Sequence, residues 1–324
     1  MSELRLREVT TRYSRSLKVY VQGDIKDRAG KVVFVTVHDV GTNHTSFLPF
    51  VRCDSMKEVR RKSVWLHVCL PGQDDKDQNL PDGYEFPSLD GLAHDLAFVI
   101  DAFDVRTVIM MGEGGGANVA CRFGLYYPNR CLGLLLVDCT SSTAGVDEYI
   151  KYTVFNWKEG GNKLVDKVLR YVTYHKAGNK STEAWKERLN PLNLGKYLDV
   201  YLKRSDISGL LAHDLRAESL VVAGALSALS QQSKQLVDAM DKLHTTLLVL
   251  DDVADPLTEA PKNLARALIL FCKGCGVLLG VPMLGLEKEF RQVNEKQEAN
   301  ETQLAIASRI LTSEREDKEN FPQH

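Results

Sequence analysis

Arg106-Thr-Val-Ile-Met-Met-Gly-Glu-Gly-Gly-Gly-Ala-Asn118 is the stretch on which the fold turns. Arg106 to Met111 is a short, apolar, partly β-branched run of the kind that forms a strand buried on both faces. Gly112-Glu-Gly-Gly-Gly-Ala117 interrupts it, and Asn118 to Tyr127, stopped by Pro128, reads as a helix. A strand, a tight glycine turn and a helix make the setting of a nucleophile elbow, G-x-S-x-G. There a strained turn lifts a serine hydroxyl above the edge of a sheet. The nucleophile position here is Gly114, which has no side chain.

The same alternation extends outward. Val9 to Tyr13 and Leu17 to Gln22 read as an opening hairpin, and Lys31 to His38 and Ser63 to Leu70 as buried strands. Ser88 can cap a helix running to Phe103, with Leu89, Leu92, Leu96, Val99 and Phe103 near one face. Cys131 to Asp138, Ser219 to Ala223 and Thr245 to Leu250 are further strands. Helices are expected over Leu229 to Leu243 and Pro261 to Phe271. Residues 140 to 213 contain no strand-like run. Helical patterns at Lys163 to Tyr174, Thr182 to Leu189 and Asn193 to Lys203 make this a helical insertion. Buried strands alternating with helices form a mainly parallel sheet covered on both faces. With a helical cap added, the expected fold is that of an α/β-hydrolase. The hydrolase-like domain is expected over residues 1–285 with its cap at about 140–213. Residues 286–324 carry nine acids and six bases and no core pattern, which marks a polar, partly disordered tail.

That fold has a strict chemical test, and three positions fail it. The nucleophile position is Gly114. The acid should follow the strand Ser219 to Ala223, where Gly224-Ala-Leu-Ser227 puts Ser227. The histidine should lie in the loop after the last strand. Asp251 to Pro261 holds none, and Ala254 stands in its place. His244 precedes that strand and so leaves the sheet at the wrong end. Asp138 could serve as an acid from an earlier strand, though an aspartate at a strand end is more often structural. Loss of all three members together points to absent chemistry. What remains is a possible remnant pocket of His38, Asp39, Gly41, Glu113, Gly114 and Gly115.

Composition narrows the classes. The chain has 324 residues, 44% hydrophobic and 26% charged, with 41 basic and 43 acidic side chains. A net charge of −2 carries no basic field for nucleic acid. No apolar run reaches the roughly 18 residues of a membrane span, and the N-terminus lacks a secretory pattern. A cytoplasmic protein without stable membrane insertion is expected. The seven cysteines are scattered and odd in number, as small buried thiols are. Cys272-Lys-Gly-Cys275 lacks the second ligand pair of a structural zinc site and falls at a helix end. No cofactor and no metal are expected. Gly112, Gly114 and Ala117 also match the G-x-G-x-x-A dinucleotide fingerprint. Two buried strands precede it, however, and Asp138 lies too far on for the ribose acid.

Several segments together resemble the N-myc downstream-regulated family, a group of non-catalytic α/β-hydrolase-fold proteins. They are His38-Asp-Val-Gly-Thr-Asn-His44 with Phe47 and Pro49-Phe50, Val64-Trp-Leu-His-Val68 with Pro71-Gly72, Pro87-Ser-Leu-Asp-Gly-Leu-Ala93, Met111 to Asn118, Arg122-Phe, and Gly133-Leu-Leu-Leu-Val137. The likeness spans about residues 9–275. It implies a protein of growth, differentiation and stress signalling that acts by binding protein partners through cap, remnant pocket or tail. Its departures are at Ala225-Leu226, where the family often carries Asp or Asn, and in the tail. The family's phosphorylated repeats are not recognisable there, so tail regulation does not carry over. An active hydrolase with an unconventional nucleophile and a dinucleotide-binding protein remain the alternatives.

Overall fold

The computed structural model describes residues 4–145 and 188–283. Eight strands form one sheet in the order β1-β2-β4-β3-β5-β6-β7-β8. They are β1 (Arg5–Thr10), β2 (Ser16–Gln22), β3 (Val32–Val37), β4 (Ser63–Cys69), β5 (Val108–Glu113), β6 (Cys131–Val137), β7 (Glu218–Gly224) and β8 (Thr245–Leu250). β2 runs antiparallel to both β1 and β4; every other pairing is parallel. This is the α/β-hydrolase architecture. Every residue of β3, β4 and β5 is buried, as expected of strands covered on both faces.

The helices are α1 (Leu48–Arg52), α2 (Lys57–Arg61), α3 (Leu89–Ala102), α4 (Gly115–Tyr126), α5 (Pro191–Leu202), α6 (Ser208–Asp214), α7 (Ser230–Ala239), α8 (Pro256–Glu259) and α9 (Pro261–Gly274). Successive residues of β6 show the two covered faces. A side chain on Gly133 would run into Phe271 of α9, whereas Leu134 packs against Gly124 of α4. Ser88 caps α3 by accepting a hydrogen bond from Gly91 N–H. Asp95, inside α3, accepts from the backbone N–H groups of Arg12, Tyr13 and Ser14, which pins the β1–β2 turn to the helix.

Several boundaries move. The first strand, expected at Val9 to Tyr13, lies at Arg5–Thr10, and Tyr13 belongs to the turn. Only Val9 of β1 is buried, so this edge strand has almost no apolar pattern to read. β5 runs two residues further than Met111, through Glu113, and α4 begins at Gly115 instead of Asn118. α7 ends at Ala239, four residues early, because Met240 is extended and the following turn must reach β8. α9 continues to Gly274. Cys272 is therefore buried in a helix and Cys275 is its C-cap.

The expected cap helix at Asn193 to Lys203 is α5, and α6 is a second helix in the same insertion. The expected helices at Lys163 to Tyr174 and Thr182 to Leu189 lie outside the described residues, apart from Arg188 and Leu189, which form a turn and a bend. The tail beyond residue 283 also lies outside them.

Candidate functional site at the glycine elbow

β5 delivers Gly114 to the carboxyl edge of the sheet, where Gly114 N–H bonds Val137 C=O at 2.9 Å. Its φ of 54° and ψ of −118° are a strained turn that glycine adopts freely and other residues adopt at a cost. The strand–turn–helix elbow is thus present with no side chain at its tip. α4 starts at the next residue and passes so close to β3 that a Cβ on Gly116 would lie 2.1 Å from Val37 C=O.

The space where a nucleophile would stand is filled. A Cβ built on Gly114 would lie 2.1 Å from Asp39 Cγ. Asp39, in the turn after β3, turns its carboxylate over the elbow and accepts from two backbone donors. Gly115 N–H lies 2.6 Å and Val40 N–H 2.7 Å from Asp39 Oδ1. In hydrolases of this fold, these two places supply the oxyanion hole: the residue after the nucleophile and the loop after β3. Here the chain's own carboxylate takes both donors. The donation is charge-assisted, which makes such bonds about twice as strong as neutral ones.

Helix α5 lies against this arrangement. Tyr197 and Tyr201, both buried on α5, approach Gly115, and Tyr197 O–H donates to His38 C=O at 3.3 Å. Phe86 stacks on Tyr197 with ring centres 5.5 Å apart. Burial, then the Asp39 charge, holds the Tyr197 phenol well above its ordinary range, so it stays neutral.

His38 is equally committed. Its Nε2 accepts from Leu70 N–H at 3.1 Å, so the ring proton sits on Nδ1, which faces Asp39 C=O at 2.9 Å. The imidazole joins the ends of β3 and β4 with both ring nitrogens in hydrogen bonds. Gly41 makes the turn possible with φ 79°. Glu113, the buried last residue of β5, pairs with Val137. Of the expected pocket residues, His38, Asp39, Glu113, Gly114 and Gly115 are gathered at the end of β5 and in the turn after β3.

The other two triad positions line the same sheet edge. Asp138 N–H bonds Val222 C=O, Ala225 N–H bonds Leu250 C=O and Leu226 N–H bonds Val253 C=O. Ser227 stands in the loop after β7 and Ala254 in the loop after β8. Ser227 Oγ accepts from Leu229 N–H at 3.2 Å, and Ala254 N–H donates to Glu259 Oε2 at 2.8 Å. His244 sits at the opposite end of β8, exposed, 2.8 Å from Glu218. Asp138 takes a left-handed turn with φ 49°.

The sequence reading did not find Asp39 as the occupant of the two donors. The contact joins residues 76 apart, and no local pattern encodes it. A signal existed, though: a carboxylate directly follows the histidine of the turn that shapes the oxyanion hole.

The model of the Ndr family matches residues 7–279. An uncharacterized protein of Caenorhabditis elegans is 44% identical over 88% of this chain and 89% of its own length. Protein NDRG1-A of Xenopus laevis is 28% identical over 80% of this chain and 68% of its own. Among solved structures, an esterase from Thermogutta terrifontis superposes with TM-score 0.62 and 17% identity, over 84% of this chain and 99% of that one. Esterase RhEst1 from Rhodococcus does so with TM-score 0.65 and 15% identity, over 85% of this chain and 100% of that one. The esterases share the fold; the sequence match over nearly the whole chain is what assigns the family, and the chain belongs to the Ndr family.

Proposed function

We propose that this chain is a non-catalytic α/β-hydrolase-fold protein that acts by binding. The observation that carries the reading is Asp39 Oδ1 on the N–H groups of Val40 and Gly115. A tetrahedral intermediate needs those donors, and an acyl group needs the space that the carboxylate fills. The buried thiols near the elbow do not replace the missing serine. Burial pushes Cys121 up to about 12 and Cys139 well above its ordinary value, so neither offers a thiolate. A dinucleotide fares no better, because its pyrophosphate would need the N-terminus of α4, where Asp39 already sits.

Membership of the Ndr family is the support for a role in growth, differentiation or stress signalling, with protein partners met through cap, remnant pocket or tail. A cytoplasmic location belongs to the same proposal. Among the described residues, no helix is long and apolar enough to cross a membrane. Treating the full chain with a serine-directed phosphonate, and separately titrating it with a nicotinamide dinucleotide, tests the reading. No adduct and no saturable binding are expected. A stoichiometric adduct would favour a hydrolase with an unconventional nucleophile, and saturable dinucleotide binding would favour the fingerprint reading.

A further inference from the structure

A second cluster of reactive side chains lies where the loops after β3 and β4 meet. His44 opens the short 3-10 turn that follows the β3 loop, Cys69 is the last residue of β4, and Asp74 lies five residues beyond it. All three are buried. One ligand atom from each, an imidazole nitrogen, the thiol sulfur and a carboxylate oxygen, lie within 4.8 Å of one another.

His44 Nδ1 has no hydrogen-bond partner among the described residues, although it is shielded from solvent. It lies 3.4 Å from an oxygen of Asp74, within ion-pair reach but without hydrogen-bond geometry. A buried polar nitrogen left without a bond costs about 1–3 kcal/mol, so its orientation toward two other donors calls for an explanation.

The surroundings fix the cluster from outside. Tyr20 stacks flat on the His44 ring at 3.6 Å with planes 5° apart. Tyr20 O–H donates to Asp74 Oδ2 at 2.5 Å, and Lys18 ammonium donates to the same oxygen at 3.2 Å. Among the described residues, Asp74 Oδ1 takes only Asp75 N–H, at 2.9 Å, and faces the imidazole. This division of one carboxylate, with one oxygen held by a second layer and the other turned inward, is how metal sites orient their ligands.

We propose that His44, Cys69 and Asp74 form a site for a divalent transition-metal ion of the zinc type. Bond lengths of about 2.0–2.3 Å put the donors of a tetrahedral zinc roughly 3.3–3.8 Å apart. The His44–Asp74 spacing already meets this, and the sulfur needs only a small approach. One nitrogen, one sulfur and one oxygen select zinc or cobalt over magnesium and calcium. On binding, the thiol gives its proton to water. The thiolate and the Asp74 carboxylate then balance the dication, while Lys18 keeps Asp77 as its partner at 2.6 Å. The fourth position falls to water. Cys69 and Lys18 border a cavity of about 390 Å³, which gives the ion a way in.

The expectation of no metal site considered only Cys272 and Cys275. The structure puts that pair at the end of α9 and gathers a different set, from segments 25 residues and more apart in the case of His44 and Cys69. The inference is independent of the elbow reading and can fail without affecting it.

Cobalt(II) titration of the chelator-treated full chain tests it, followed by the thiolate-to-cobalt charge-transfer absorption. One equivalent should bind, and zinc should displace it. Cys69→Ser should abolish the band. Tyr20→Phe, which removes an outer-layer partner, should weaken binding about 10-fold, and Asp74→Asn, which removes a ligand, should weaken it further. Each variant is checked for native circular dichroism, and Asp74→Asn and Tyr20→Phe carry the reading if Cys69→Ser does not fold. Absence of the band in the parent chain would overturn the proposal. So would a band that persists in Cys69→Ser, or wild-type affinity in Asp74→Asn.

Discussion

Gly114 and Asp39 share one volume, and the energetics of the elbow follow from that. A serine at position 114 would carry its Cβ 2.1 Å from Asp39 Cγ and would adopt φ near 54°. The backbone term alone costs about 1–3 kcal/mol, and the overlap adds to it. Gly114→Ser should therefore lower stability by at least that amount in urea unfolding and should gain no reactivity, since among the described residues no imidazole is placed to take the hydroxyl proton. Asp39→Ala removes a charge-assisted acceptor from two buried N–H groups and should cost about 1.5–3 kcal/mol. The two changes should not add. With the carboxylate gone the serine has room, so the double variant should be more stable than the sum predicts by about 0.5–3 kcal/mol. Strict additivity in this cycle would mean that Asp39 does not occupy the nucleophile's space.

Arg122 shows how the elements around the site are held. It is buried on α4 and donates to Asn118 at 2.8 Å, to Asp90 of α3 at 2.5 Å, and to Ser205 between α5 and α6 at 2.9 Å and 2.6 Å. Burial alone would raise the Asp90 carboxyl, but the Tyr126 hydroxyl and the Arg122 guanidinium outweigh it, so the group is held below its ordinary value. A depressed folded-state value means that the contribution is complete above about pH 4 and fades as pH falls through the folded-state value. Arg122→Met should cost about 1.5–3 kcal/mol at pH 7 and flatten the loss of stability below about pH 4. Urea unfolding at pH 7, 4 and 3 reads this, and an unchanged acid limb would refute it. At this scale the sequence was informative wherever burial is two-sided or a cap is local. The runs Val32–Val37 and Ser63–Cys69, the Ser88 cap and the elbow glycines were all readable. α1, α2 and α6 were not, because five to seven residues are too few to show a 3.6-residue period. β1 was misplaced because its one buried side chain gives no alternation. The Asp39 contact and the His44–Cys69–Asp74 cluster depend on chain segments brought together by folding, which spacing along the chain does not reveal.

For the whole molecule, the first of two compact units, Met1–Val281, ends on a buried residue. From the composition of the sequence from about residue 286 onward, which carries no core pattern, we expect that segment to contribute little to folding. A chain ending near Leu286 should keep its melting temperature within about 2–4 °C, the shift that roughly 1 kcal/mol produces in a domain of this size. Its partner binding or cellular half-life should change. A drop of ten degrees or more would make the tail part of the fold. The central claim concerns the elbow: the hydrolase scaffold persists with its oxyanion donors held by Asp39 and no activated nucleophile. Quantitative turnover of a panel of simple esters by the full chain tests this most directly. Binding and backbone donors alone leave enzymes of this kind about 10³-fold above water, so the account predicts rates at or below that level, unchanged when any single side chain at the elbow is replaced. Turnover well above it, abolished by one such substitution, would contradict the account.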